Sequence, residues 1–415
     1  MMKSKIKIQV FIITLFFILF SAFLQITPIA TANTIEKQLS INTETFVLLS
    51  SLYFLSYAIL QIPIGILCDY KGIKYILPIS ILIVCIGSIL FWLASNSWIL
   101  GTSRLLIGIG CSTAYISAVF FASNYFSKSI LPLLIACAEA FGGIGDYLAN
   151  NFYFDILNTY GWDIANLIII VFLFILFIYS LFLSGKIIVP DRSHLPKFSF
   201  SILGSQLKIL FTNKILLGIF AYSFFTWLII MTFAGFWAKS YYMSVHHFSV
   251  RESLFVSEVY WISFLASGLL IGSLVKTLEM TKKTLMVLAI IGLITYILMA
   301  IPIRFGDSMT VILTVAAGFS TAGVILAFSL IAYIVKLESH GLAISVNNFF
   351  IVLGGLFGQV LFSEIISHFS FHAVYEYCGC SEEYYDPIVM LLISSLLAFC
   401  AVFYSLRKLT HHSGH

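Results

Sequence analysis

Charge is scarce in this sequence. Of its 415 residues only 10% are charged, 60% are hydrophobic, and the mean hydropathy is +1.05. Soluble domains carry roughly 25% charged and 45–50% apolar residues. This composition therefore excludes a soluble globular protein. The net charge is only +4, from 22 basic and 18 acidic groups, and a balance this small gives no sign of nucleic-acid binding.

The short motifs of ATP-driven and hydrolytic proteins are missing as well. The sequence has no G-x-x-x-x-G-K-[ST] loop, no G-x-S-x-G elbow and no H-E-x-x-H helix. Its apolar runs are long and unbroken, unlike the alternating segments of about ten residues in a membrane barrel. A helix satisfies its own backbone groups inside a bilayer. We predict an all-α membrane protein that is not an enzyme and holds no cofactor.

Twelve apolar segments alternate with polar connections along the chain. Each approaches the roughly 20 residues that an α-helix needs to cross a bilayer. The first follows a lysine-rich N-terminus but has no small-x-small cleavage site, so we predict an uncleaved span rather than a signal peptide. The predicted spans are 8–30, 44–68, 75–95, 98–122, 130–152, 164–185, 215–238, 253–275, 284–303, 308–335, 341–367 and 387–406.

The longest hydrophilic stretch divides these spans into two sets of six. We predict a bundle at 1–185, a cytoplasmic linker at 186–214 and a second bundle at 215–415, giving twelve transmembrane helices in two six-helix pseudo-symmetric bundles. With the N-terminus inside, seventeen of the 22 basic residues fall in cytoplasmic segments and four in outer loops. Basic residues favour the cytoplasmic side, so both termini are predicted to be cytoplasmic.

The loop between spans 2 and 3 has the pattern G-x-L-x-D-x-x-G-x-K, carried by Gly65, Asp69, Gly72 and Lys74. The pattern resembles the signature loop of the major facilitator superfamily. A second, degraded copy starts at Gly272, with a lysine where the first copy has Asp69. The resemblance implies a secondary transporter of a bacterial cytoplasmic (inner) membrane, whose two halves rock around a midplane site.

Span 4 contains Arg104 in the pattern R-x-x-x-G-x-G, which is similar to the second motif of that family. A charge inside a span is costly and indicates function. Asp146 in span 5 lies at a similar depth, since each residue is about six positions from the outer end of its span. We therefore predict an Arg104–Asp146 ion pair; a purely structural pair is the alternative.

Glu139 lies seven residues before Asp146, two helical turns along the same face of span 5. A low dielectric disfavours the charged form of a carboxylate, which suits a proton carrier. We predict that Glu139, Asp146 and Arg104 serve proton coupling, with a structural role for Glu139 as the alternative. This region resembles the antiporter motif of the family but lacks its Gly-Pro step, which disfavours efflux.

Polar and aromatic residues of spans 7 and 11 are candidates for substrate binding: Tyr222, Trp227, Asn347 and Asn348. Ordinary helix packing is the alternative. The run from Phe233 to Trp237 resembles span 7 of bacterial permeases related to phagosomal nutrient transporters. Glu258 and Glu364 are weaker candidates for coupling.

The last outer loop carries His368, His372, Cys378 and Cys380, a combination that suits a metal or a thiol pair. We predict no metal site.

These patterns favour proton-coupled uptake of a small polar metabolite, an amino acid or a nucleoside, by alternating access. Efflux of a drug or siderophore by proton antiport is the alternative. A non-transporting receptor or scaffold would need no titratable group at the midplane, so Glu139 argues against it. The predicted partners are the substrate, protons and the lipid bilayer, and the chain is expected to act as a monomer.

Overall fold

The computed structural model describes residues 2–189, 200–301, 305–368 and 385–412, with side chains except at 200–202, 362–368, 385–387 and 410–412. Every regular element in these ranges is helical. The all-α prediction is therefore confirmed.

The regular elements of the described chain are sixteen α-helices, two π-helical segments and one short 3-10 helix, Leu337–Ser339. The first half contains α1 Ser4–Leu39, α2 Thr43–Lys71, α3 Ile73–Trp92, α4 Ser97–Cys111, α5 Ala114–Tyr125, α6 Leu131–Tyr147, a π-helical segment Leu148–Tyr153, and α7 Phe154–Ser184. The second half contains α8 Phe200–Thr212, α9 Lys214–Ile229, a π-helical segment Ile230–Trp237, α10 Ala238–Val245, α11 Val250–Leu274, α12 Leu278–Ala300, α13 Asp307–Thr321, α14 Gly323–Ile334, α15 His340–His368 and α16 Tyr385–His412.

Eleven continuous stretches of the described chain are long and apolar enough to cross a membrane. One of them, Leu131–Ser184, has 54 residues, more than twice the roughly 20 that one crossing requires. Gly161 interrupts it with a left-handed backbone conformation, at φ 83°. This stretch therefore supplies two crossings, predicted spans 5 and 6, and the total is twelve.

Two predicted spans are each built from two helices. Span 4 is divided between α4 and α5, and span 10 between α13 and α14. Hydroxyl groups precede both breaks: Ser112 and Thr113 donate to carbonyls three residues back at 2.6 and 3.0 Å, and Ser320 and Thr321 do so at 2.7 and 2.8 Å. Such bonds compete with the helical hydrogen-bond ladder, which hydropathy does not register.

The chain forms two compact units, each assembled from several segments. The first contains Met1–Ser127, Cys137–Phe198 and Val335–Val346, and the second contains Lys128–Ala136, Ser199–Ile334 and Asn347–His415. The start of α6 thus packs with the second unit and the start of α15 with the first. Large apolar side chains are exposed on both units, among them Ile59, Phe182 and Ile262 at 61–64%, as expected for surfaces facing lipid.

The same close helix approach occurs once in each unit. In the first, a Cβ on Gly108 of α4 would overlap the carbonyl oxygen of Tyr53 in α2. In the second, a Cβ on Gly318 of α13 would overlap the carbonyl oxygen of Tyr260 in α11. The residues correspond between the halves, since Tyr53 and Tyr260 lie in spans 2 and 8 and the glycines in spans 4 and 10. This internal repeat is what two pseudo-symmetric bundles require.

Alanine at Gly108 or Gly318 is expected to destabilise the protein by about 1–3 kcal/mol, because the added methyl group meets backbone rather than a movable side chain. Thermal unfolding in detergent measures the effect. Gly204→Ala is the control, because nothing lies within 4 Å of a Cβ at that position. An unfolding temperature unchanged from wild type for both glycine variants would contradict the close approach.

Candidate transport site

The carboxylate of Glu139 lies in the first unit, near the middle of α6. The hydroxyl of Tyr115 in α5 donates a hydrogen bond to its Oε1 at 2.6 Å. Both side chains are half-buried. In the part of the chain that the structure describes, no lysine, arginine or histidine pairs with Glu139. The carboxylate is therefore held by a neutral donor and has no compensating cation.

Two further tyrosines extend this polar region along α2. Tyr57 lies near Tyr115, and the rings of Tyr57 and Tyr53 stack at 5.8 Å between centroids. Tyr53 is buried, and its hydroxyl donates to the carbonyl of Ser21 in α1 at 3.3 Å. We call Tyr53, Tyr57, Tyr115 and Glu139 the tyrosine–glutamate row. Its tyrosines were missed in the sequence, because hydropathy treats tyrosine much like other apolar residues.

Arg104 lies at the Tyr53 end of the tyrosine–glutamate row. Its guanidinium lies 5.0 Å from the Tyr53 ring centroid and 6.0 Å from that of Phe91, both within cation–π range. Nη1 donates to the carbonyl oxygen of Leu24 at 2.9 Å, and Nε donates to that of Ser50 at 3.4 Å. The side chain is only 1% exposed, so its charge is stabilised by backbone dipoles and ring faces.

The Leu24 carbonyl needs a partner from outside its own helix. A helical carbonyl normally accepts from the N–H four residues later, and Pro28 occupies that position inside α1. Proline has no N–H, so the Leu24 oxygen loses its intrahelical donor. Arg104 supplies the missing hydrogen bond. The proline and the arginine were both visible in the sequence, but nothing there connected them.

The predicted ion pair between Arg104 and Asp146 is wrong. Arg104 donates to carbonyls of α1 and α2, and the Oδ1 atom of Asp146 is buried without a hydrogen-bond partner. Similar depth does not decide which side of a helix a residue faces. The neighbouring Gly145 packs against the backbone of Leu19 in α1, which sets the rotation of α6 and keeps Asp146 away from the guanidinium.

The signature loop binds the start of a distant helix within the same unit. Asp69 Oδ1 accepts from the backbone N–H of Gly341 and Oδ2 from that of Leu342, both at 2.7 Å. These groups lie in the first turn of α15, where free N–H groups and the helix dipole favour an anion. Asp69 is 4% exposed, so water screens the contact little.

The other residues of the signature loop shape this contact. A Cβ on Gly65 would overlap Ser345 and the Gly341 carbonyl, so α2 and α15 touch through their backbones. Gly72 ends α2 at φ 63°, a conformation that favours glycine. The ammonium of Lys74 lies 5.3 Å from the centroid of the Tyr75 ring. For three of the four predicted loop residues, Gly65, Asp69 and Gly72, the structure therefore gives a steric or electrostatic role.

The second copy of the loop makes a related contact without a carboxylate. A Cβ on Gly272, at the end of α11, would lie 2.8 Å from the Leu133 Cα of α6, within the second unit. Lys276 stands where the first copy has Asp69 and is exposed. The close contact made by glycine therefore occurs in both copies of the motif, whereas the aspartate that binds helix N–H groups occurs only in the first.

Asp69→Asn is expected to reduce transport at least tenfold, whereas Lys276→Ala should remain close to wild type. The amide keeps one acceptor oxygen but loses the charge and the second acceptor, and charge-assisted bonds are worth roughly twice neutral ones. Initial transport rates at matched amounts of reconstituted protein measure both variants. Equal losses in the two would show that the asymmetry between the loops has no functional meaning.

The predicted substrate-binding residues belong to the second unit. Tyr222 is buried with its hydroxyl against Gly323, and Trp227 is half-buried with its ring 6.3 Å from that of Phe264. Asn347 is 0% exposed and neither its Oδ1 nor its Nδ2 has a hydrogen-bond partner, while Asn348 is buried. Tyr222 packs closely against Gly323. The Asn347 amide, which has no hydrogen-bond partner, remains a candidate for substrate binding.

Two further sequence candidates are resolved only in part. Glu258 is exposed on α11. The side chain of Glu364 lies outside the described residues, as do the side chain of His368 and the whole of His372, Cys378 and Cys380.

A helical protein that crosses the bilayer twelve times, with charged side chains held inside its spans, has the architecture of a membrane transporter. The sequence profile of the Major Facilitator Superfamily matches residues 11–359. The match covers most of the chain, which therefore belongs to the Major Facilitator Superfamily.

Individual relatives are distant. The uncharacterized transporter YybO of Bacillus subtilis (strain 168) is 22% identical over 239 residues, which cover 54% of this chain and 54% of YybO. The chain thus aligns with about half the length of this curated relative.

Solved structures agree over almost the full length. The transporter FucP in its outward conformation superposes with a TM-score of 0.71 at 16% identity, covering 96% of this chain and 98% of FucP. A bacterial homologue of the iron transporter ferroportin, in an outward-facing state, gives 0.73 at 12% identity over 96% and 99%. A structure of the E. coli fucose:proton symporter FucP gives 0.66 at 17% identity over 96% and 99%. At these identities the likeness establishes the fold.

Proposed function

We propose that this protein takes up a small polar metabolite, an amino acid or a nucleoside, together with protons, by alternating access. The observation that supports this proposal is the carboxylate of Glu139. It is half-buried within a membrane span and receives a hydrogen bond from Tyr115 at 2.6 Å, with no cation to balance its charge among the described residues.

An unbalanced carboxylate in a low dielectric is more stable when it binds a proton and more easily ionised when water reaches it. A change in its access to water during the transport cycle would therefore change its affinity for a proton. Such a group couples proton movement to a conformational change. The name of FucP, a fucose:proton symporter, shows that this fold accommodates such coupling in another protein.

The remaining features of the proposal follow from sequence patterns. We place both termini in the cytoplasm and the protein, as a monomer, in a bacterial inner membrane, with bundles at 1–185 and 215–415 joined by the linker at 186–214. The substrate would contact the second unit near Trp227 and Asn347, where the Asn347 amide has no hydrogen-bond partner among the described residues.

Purified protein in proteoliposomes tests the proposal. A panel of radiolabelled amino acids and nucleosides is offered with and without an imposed pH gradient, acidic outside. We expect at least one compound to accumulate only when the gradient is present. Intact cells then separate the directions of transport: expression should raise the cellular content of that compound. A fall in cellular content would indicate the efflux alternative, and accumulation indifferent to the gradient would rule out proton coupling.

A further inference from the structure

Asp146 is a half-buried carboxylate of the first unit that neither the coupling mechanism nor the signature loop uses. It lies at the end of α6, seven residues beyond Glu139. Its Oδ1 atom is buried without a partner, and no hydrogen bond or ion pair reaches the side chain within the described residues. Leaving an ionised carboxylate in this state costs several kcal/mol, so the arrangement favours a bound proton.

Glu139 and Asp146 face the same side of α6. Seven residues correspond to almost two helical turns, which places the carboxyl groups on one face and about 10 Å apart along the axis. That distance is too long for a direct hydrogen bond, whose heavy atoms lie roughly 2.5–3.0 Å apart. Direct transfer of a proton between the two groups is therefore impossible without an intermediate carrier.

The positions between the two carboxylates are occupied by Gly142 and Gly143, which follow Glu139 by three and four residues on the same helical face. Packing does not require a glycine at 142. A Cβ there would lie 3.7 Å from Cγ2 of Ile18, an ordinary van der Waals distance. Gly145 differs, because a Cβ there would overlap the backbone of Leu19. A methyl group at position 142 would therefore fit beside Ile18 without displacing it, so the absence of a side chain there has no steric reason.

We propose that Asp146 and Glu139 form a two-step proton relay, in which water beside Gly142 carries the proton between the two carboxyl groups. The proposal rests on the proposed function above and adds a second proton-binding residue and a path. Water of this kind is stable only where several polar groups surround it, and the two carboxyl groups provide them.

The relay conserves atoms and charge. The O–H bond of protonated Asp146 breaks as its proton passes to a water molecule. That water releases another of its protons, through a chain of further water molecules, to the Glu139 carboxylate. Asp146 is left ionised and takes up the next proton, and no electrons are transferred. Two titratable groups among the described residues lie at the Glu139 end of this path, Tyr115 on α5, which is bonded to Glu139, and Tyr57 on α2. Arg104 is bound to α1 and α2 carbonyls instead.

Two matched pairs of variants test the relay. Asp146→Asn removes the first carboxyl group, and Asp155→Asn makes the same change at an exposed position in the same unit. Gly142→Val places an apolar side chain beside Ile18. Gly142→Thr places a side chain of the same shape there, and its hydroxyl can pass a proton. Each variant is reconstituted at equal amounts, and both proton-driven uptake and substrate exchange without a gradient are measured.

We expect Asp146→Asn and Gly142→Val to lose about tenfold or more in proton-driven uptake and to retain exchange, while Asp155→Asn and Gly142→Thr stay close to wild type. Wild-type uptake in Asp146→Asn would overturn the relay, as would equal losses in the valine and threonine variants. If Gly142→Val fails to fold, the Asp146 and Asp155 pair still decides.

The relay and the proposed function fail in different ways. If the wild-type protein shows no proton-driven uptake, the proposed function is wrong. If Glu139→Gln keeps that uptake, Glu139 is not the coupling residue and the relay is wrong with it. If wild type and Glu139→Gln behave as proposed and Asp146→Asn is unaffected, only the relay is wrong.

Discussion

Glu139→Gln is expected to abolish uptake driven by a pH gradient while leaving exchange of substrate across the membrane. Glutamine keeps the size of the side chain and an oxygen that can accept from the Tyr115 hydroxyl, which lies 2.6 Å from Oε1. It cannot bind and release a proton near neutral pH. Uptake with and without a gradient, and exchange at equal substrate on both sides, measure the two activities in one preparation.

The matched control is Glu44→Gln, which makes the same change at an exposed position in the first turn of α2. It should behave as wild type in both assays. Accumulation by Glu139→Gln in response to a gradient would show that Glu139 is structural. Glu258 or Glu364 would then be examined as the coupling acid. Loss of exchange as well as uptake would instead indicate that Glu139 binds substrate or holds the fold.

Arg104→Met is expected to impair uptake and exchange together and to lower the amount of folded protein. Methionine keeps much of the apolar volume but leaves the Leu24 carbonyl without a donor and removes the cation from between the Tyr53 and Phe91 rings. A buried acceptor without a partner costs about 1–3 kcal/mol. Thermal unfolding and both transport assays measure the loss.

Double variants distinguish two possible partners of the Arg104 guanidinium, the Leu24 carbonyl and the Asp146 carboxylate. Pro28→Ala restores the N–H that Leu24 lacks, so the addition of Pro28→Ala should recover part of the stability lost in Arg104→Met. The addition of Asp146→Asn should give no recovery, because the structure shows no contact between these side chains and independent effects are approximately additive. Recovery by Asp146→Asn but not by Pro28→Ala would instead support the predicted ion pair between Arg104 and Asp146.

The loop at Gly65–Lys74 shows how far a motif can be interpreted without coordinates. Its pattern marked the residues that the structure explains: Gly65 and Gly72 allow the close approach and the turn, and Asp69 accepts hydrogen bonds from a helix N-terminus. The donor helix proved to be α15, which begins 271 positions after Asp69 in the chain. No local pattern in the sequence identifies a partner at that separation.

The sequence by itself determined the class of protein and the number of membrane crossings. These properties depend on hydropathy along one dimension and on the ability of a helix to satisfy its own backbone. Tertiary structure decided which residues meet: Tyr115 with Glu139, Arg104 with the carbonyl that Pro28 leaves free, and Asp146 with no cation. Depth follows from position along a helix, but the direction a side chain faces depends on the rotation of that helix. That rotation is set by close contacts such as Gly145 on Leu19 and Gly108 on Tyr53, which exist only once the helices have packed.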